Sequence, residues 1–209
     1  MFWQKKENSE SFETEKEEKR AWQKFATYLI PLILIPLFAY GIKSLTFELF
    51  RVDGTSMERF LTQEDRLFVE KFGQQYARVK GDPYTPKRYE VVVFNLEPEY
   101  AENASADQFV KRVIGLPGER VVVKNGITTV FNNESPEGLA VDEILSVQLE
   151  RDISTDIDVD TVVPDGHVFV MGDNRQESYD SREMGPINNI NIVGRATILI
   201  YPLDRLFIL

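Results

Sequence analysis

Lys111 stands in Phe109-Val110-Lys111-Arg112-Val113-Ile114. As a strand, this run puts Phe109, Lys111 and Val113 on one face and Val110, Arg112 and Ile114 on the other. If the lysine face is buried, the ammonium form is penalised and the pKa falls from about 10.4. A fall of three units costs about 4 kcal/mol and leaves free amine near neutral pH. Such an amine can accept a proton from a serine hydroxyl. The same segment also reads as a surface strand whose lysine snorkels to water, with Arg112 a second solvated charge. Ser56 follows the apolar run Phe47 to Val52 and the turn pair Asp53-Gly54. It is either an exposed nucleophile at a strand end or an ordinary turn serine. A third segment, from Gly172 to Arg182, gathers Asp173, Arg175, Ser178, Asp180 and Arg182. The single histidine, His167 in Pro164-Asp165-Gly166-His167, offers a rival base for Ser-His-Asp chemistry.

Composition removes several function classes. The 209 residues include no cysteine, which excludes disulfides, a thiol nucleophile and a thiolate metal site. One histidine argues against zinc, so neither a metal nor a cofactor is expected. Net charge is -10, and the first 24 residues carry six acids and six bases, so the excess lies entirely in residues 25–209. An acidic body serves solubility and argues against nucleic acid as a partner.

These groups need elements to hold them. From Phe25 to Ile42 the chain is uncharged; as a helix it is roughly 27 Å long, close to the ~30 Å hydrocarbon core of a bilayer. Pro31 and Pro36 kink it, which membrane helices tolerate, and Trp22 and Tyr40 stand where interfacial aromatics belong. A buried core helix and a cleaved signal sequence are the competing readings. No small-x-small site follows at Lys43-Ser44-Leu45-Thr46-Phe47, which favours an uncleaved anchor. Lys16, Lys19, Arg20 and Lys24 precede the span; Lys43 and Arg51 follow it. That bias puts the N-terminus in the cytoplasm. The expected organisation is a polar cytoplasmic tail at 1–24, a transmembrane helix at 25–43 and an extracytoplasmic domain at 44–209.

That domain reads as mostly antiparallel β. Short apolar runs bounded by turn residues recur at Leu45 to Val52, Arg66 to Lys71, Glu90 to Asn95, Gln108 to Ile114, Arg120 to Lys124, Gly126 to Phe131, His167 to Met171 and Gly194 to Tyr201. Asn125-Gly126 predicts a two-residue hairpin. Tyr76 to Arg88, with Pro83 and Pro86, reads as a polar loop. Asn132 to Pro164 is acidic and Ser/Thr-rich and predicts a small inserted β subdomain.

In this order, Ser56-Met57, Lys111-Arg112-Val113-Ile114-Gly115-Leu116-Pro117-Gly118 and Gly172-Asp173-Asn174-Arg175-x-x-Ser178-x-Asp180-Ser181-Arg182 resemble the type I signal peptidases. Asp65 to Lys71, Glu90 to Phe94, Val193 to Ala196 and Tyr201-Pro202-Leu203 extend the likeness from Trp22 to the C-terminus. The resemblance implies a membrane-bound serine endopeptidase that removes signal peptides from exported preproteins, cleaving after small residues. It implies Ser56 as nucleophile, Lys111 as base, Ser178 as the hydroxyl that orients the amine, and Asp180–Arg182 with Asp173 and Arg175 as supports. Its implied partners are signal peptides, the lipid bilayer and the nearby export machinery; its place is the cell membrane. Departures from the family pattern bear on the turn geometry. Glu58-Arg59-Phe60 replaces x-Pro-Thr after Ser56-Met57, Glu64 and Tyr89 stand where glycine is common, Met184 stands where the family often has an aromatic residue, and Gly54 offers no oxyanion hydroxyl. Two other functions compete: a silent membrane-tethered homologue that binds peptides, and a self-cleaving regulator of Ser-Lys chemistry, which the apolar span and acidic body disfavour.

Overall fold

The computed structural model describes residues 20, 22–41, 46–58, 60–82, 84–96, 108–149 and 157–209. The expected tail therefore lies almost wholly outside the described residues, as do Lys43, Arg59 and Pro83. The chain divides at Ser44/Leu45 into two units. In the first, helix α1 (Trp22–Gly41) is long and apolar enough to cross a membrane, with mean hydropathy 1.5, and none of it is buried against protein.

The second unit is built on two antiparallel sheets. In the larger, β1 (Phe47–Arg51), β2 (Arg66–Glu70), β3 (Val91–Asn95) and β4 (Gln108–Gly115) join β9 (His167–Met171), β10 (Ile187–Asn188), β11 (Ile192–Tyr201) and β12 (Phe207–Ile208). The spatial order is β1-β2-β11-β3-β4-β9-β10, with β12 on β11. Among the described residues β1 is an edge strand, paired with β2 alone. The smaller sheet runs β7-β6-β5-β8, from β5 (Arg120–Lys124), β6 (Ile127–Phe131), β7 (Leu139–Ala140) and β8 (Val159–Val162). The β5–β6 hairpin turns on Asn125 (φ 51) and Gly126 (φ 80), the two positive φ values that a type I′ turn demands.

The unbroken apolar runs have a simple cause. Val91 and Val93 enter a core with Met57, Leu61 and Val110, while Val92 and Phe94 enter a second with Val113, Val168 and Val170. β9 sends Phe169 and Met171 into a third core, formed with the smaller sheet. Strands buried on both faces lose their polar alternation.

Two segments differ from the sequence expectation. Helix α2 (Phe72–Lys80) occupies the start of the expected Tyr76–Arg88 loop and ends on Gly81 in the left-handed conformation (φ 76). Its inward positions are Gln74 and Ala77, whereas Phe72, Tyr76 and Val79 face outward, so a search for buried apolar periodicity passes over it. Within 132–164 stands helix α3 (Val141–Leu149), whose Val141 and Leu145 fill the third core. The sheet beside it recruits β5 and β6 from outside that stretch.

Candidate active site

β4 lies between β3 and β9, with Lys111 opposite Val92 and Arg112 opposite Val91 and Met171. Lys111 is 1% exposed, so the snorkelling alternative does not hold. Burial pushes its amine down from 10.5 to about 8. The nearby Asp180 carboxylate works against that fall, the Arg182 guanidinium assists it, and Asp173 opposes it more weakly. Nζ lies 2.6 Å from Oγ of Ser56 and 5.2 Å from the centre of the Phe109 ring.

Ser56 stands just beyond β1. Gly54, at φ 109, turns the chain out of the sheet. A tight turn follows: Glu58 N–H donates to Thr55 O (2.9 Å) and Leu61 N–H to Met57 O (2.8 Å). Met57 and Leu61 anchor it in the core at 1% and 0% exposure. Glu64 and Tyr89 hold φ values of 78 and 70, so both positions keep a glycine-like conformation without glycine.

The third segment closes on these two. Asn174 donates its backbone N–H to Ser56 O (2.9 Å) and its Nδ2 to Thr55 O (3.1 Å). Gly172 is a necessity of packing: a Cβ there would lie 2.2 Å from Ser178 Oγ and 2.5 Å from Ser56 O. Asp180 and Arg182 are fully buried and paired at 2.8 Å through both Nε and Nη2. Asp180 Oδ2 also accepts from Gly172 N–H (2.9 Å) and from Ser178 Oγ (2.6 Å). The Ser178 hydroxyl thus points to Asp180; among the described residues no hydrogen bond joins it to Lys111. Met184 is buried in the core that holds Val168 and Val170.

Arg112 is the residue that the sequence reading missed. Its Nε and Nη2 clasp Asp173 at 2.8 and 2.7 Å, Nη1 donates to Tyr89 O (2.8 Å), and the guanidinium lies 4.7 Å from the Phe60 ring. Adjacent charges on opposite faces of one strand, with Asp173 eight residues after Asp165 in a charged loop, gave no signal that could choose this partner. Arg175 pairs with Asp142 of α3 at 2.6 Å. His167 places Nδ1 2.9 Å from Asp165 O in its own turn and does not line the cleft that holds Ser56.

That cleft measures about 590 Å³. Phe50, Val52, Gly54, Gln108 and Phe109 line it together with Ser56 and Lys111. Among the described residues no cluster of acidic or histidine side chains is suited to a metal ion. A serine hydroxyl against a buried, readily deprotonated amine is the equipment of a serine hydrolase.

Residues 22–201 match the family described as signal peptidase, peptidase S26, and the chain belongs to that family of serine peptidases. It is 32% identical over 191 residues to signal peptidase I P of Bacillus subtilis subsp. natto, covering 90% of this chain and 96% of that protein. It is 35% identical over 188 residues to a probable signal peptidase I-1 of Synechocystis sp., covering 88% and 86%. A crystal structure of a signal peptidase I from Enterococcus faecalis V583 aligns at 27% identity and TM-score 0.39, covering 54% of this chain and 97% of that one.

Proposed function

We propose that this chain is a membrane-tethered endopeptidase that frees exported preproteins from their signal peptides, with Ser56 as nucleophile and Lys111 as its general base. The observation that carries the proposal is the 2.6 Å contact between Ser56 Oγ and a buried Lys111 Nζ whose pKa lies at about 8. In its neutral form the amine accepts the hydroxyl proton as Oγ attacks the scissile carbonyl. The resulting ammonium then protonates the departing amine, leaving an acyl-serine. Water, deprotonated by the same lysine, releases the acid. The Ser56 N–H has no backbone acceptor among the described residues, which suits it to the oxyanion, a role worth about 3 to 4 kcal/mol per donor. Arg182 neutralises Asp180, and Ser178 and Gly172 complete the carboxylate's shell, so the wall beside the amine is rigid.

An extended substrate pairs with the free edge of β1 and offers alternate side chains to shallow pockets, which favours small residues next to the cut. α1 anchors the enzyme in the cell membrane, with the Lys/Arg bias setting the N-terminus in the cytoplasm and the peptidase domain outside. Sharing a bilayer with a tethered substrate, near the export machinery, raises effective concentration.

The test is cleavage of a preprotein with an Ala-x-Ala site by the detergent-solubilised full chain. Loss of cleavage in Ser56→Ala and Lys111→Ala, with His167→Ala active, is the expected outcome. Undiminished cleavage by Lys111→Ala would refute the dyad.

A further inference from the structure

We infer that Asp142 is a positioning residue for peptide cleavage, acting from helix α3 through Arg175 and Asn174 on the backbone of Ser56; the inference rests on the Ser56–Lys111 reading above. Asp142 lies in the first turn of α3, and Arg175 begins the short 3₁₀ turn Arg175–Glu177 in the third segment. Their side chains are 8% and 2% exposed and meet at 2.6 Å. Thr128 of β6 joins both: its N–H donates to Asp142 Oδ2 (2.6 Å), and its Oγ1 accepts from Arg175 Nη1 (3.1 Å). Arg175 is therefore held from two elements, strand β6 of the smaller sheet and helix α3.

As a source of stability this arrangement is poor. Two charges are desolvated for one ion-pair contact that lacks hydrogen-bond geometry: among the described residues neither Asp142 Oδ1 nor Arg175 Nε finds a hydrogen-bond partner. A buried pair of that kind often does no better than apolar side chains of the same volume. What the pair does supply is direction. With Arg175 fixed, its neighbour Asn174 is fixed, and Asn174 grips the carbonyls of both Thr55 and Ser56. Lys111 sits on an interior strand, but Ser56 sits in a turn beyond an edge strand. The 2.6 Å reach between them depends on what holds the turn. A displacement of about 1 Å is enough to cost a catalytic geometry two orders of magnitude.

The experiment replaces the pair with apolar residues of similar size, Asp142→Leu/Arg175→Met, in the full chain in detergent. A folded variant should show kcat lowered at least tenfold, KM within twofold of the parent, and the pH midpoint of the base unmoved. Hydrogen exchange at the Asn174 amide should rise at least tenfold while β4 stays protected. A folded variant with parental kcat and parental Asn174 exchange would overturn the inference and leave the pair a structural contact. Should the double variant fail to fold, Asp142→Asn, which keeps an acceptor for Thr128, is read by the same two measurements. Ser56→Ala run alongside separates the two claims: cleavage surviving there refutes the dyad, whereas a clamp without effect shows only in the Asp142/Arg175 variants.

Discussion

Replacing Lys111 with methionine should abolish cleavage and at the same time stabilise the fold. The amine titrates at about 8 in the folded protein against 10.5 ordinarily, because burial disfavours its charge. The folded state therefore binds fewer protons than the unfolded state between those values, and stability rises with pH across that window. Below pH 8 the native fold carries the whole cost. The difference of 2.5 units, at 1.36 kcal/mol each, amounts to about 3 kcal/mol. Methionine is close to lysine in volume, though one atom shorter, and carries no charge, so Lys111→Met should be about 3 kcal/mol more stable than the parent at pH 7. Its advantage should shrink between pH 8 and 10.5 and vanish above that. Denaturant unfolding of the full chain in detergent, followed by far-UV circular dichroism from pH 6 to 11, measures the gap. A gap that does not change with pH, or a variant less stable than the parent at pH 7, would refute the claim that burial sets the state of this amine.

The same titration governs the rate. kcat/KM should rise tenfold per pH unit below about 8 and level off above it, and Lys111→Arg should be inactive at every pH because guanidinium stays charged. Gly172→Ala should lower kcat at least a hundredfold and cost roughly 1 to 3 kcal/mol of stability, since its methyl group collides with both Ser178 and Ser56; preprotein cleavage and thermal unfolding check both. At Glu64 the usual order of alanine over glycine should invert. Either substitution removes the exposed pair with Arg51, but only glycine accepts φ 78 without strain, so Glu64→Gly should exceed Glu64→Ala by about 1 kcal/mol in denaturant titrations.

The strands were legible because Val, Ile and Phe runs between turn residues carry a local signal, and all eight expected runs contain a strand. Ser56 and Lys111 were legible only jointly. Each segment alone fits a bland surface role, and what brings them to 2.6 Å is the path of β1, β2, β11 and β3 between them. The partners of the charges were not legible. Arg112 read as solvated, yet it holds Asp173; Arg175 read as part of its own loop, yet its partner is Asp142 in helix α3. Ion-pair choice depends on which elements meet in space, and periodicity does not encode that. α3 escaped notice because its acidic first turn resembles the loop around it.

The double burial of the larger sheet bears on how the chain finds its register. In a strand with one wet face, a slip of one residue drives polar groups inward and is rejected at once. β3 has no such safeguard, since Val91, Val92, Val93 and Phe94 are all buried, and a shifted pairing would still be apolar on both sides. On β4 the discrimination falls to Lys111 and Arg112. A slip would aim the guanidinium at Ser56 and the amine at Asp173, stranding a permanent charge where burial penalises charge and giving up the two-pronged clasp of Asp173. The groups that perform the chemistry are thus also the groups that tell the strands where to stop sliding.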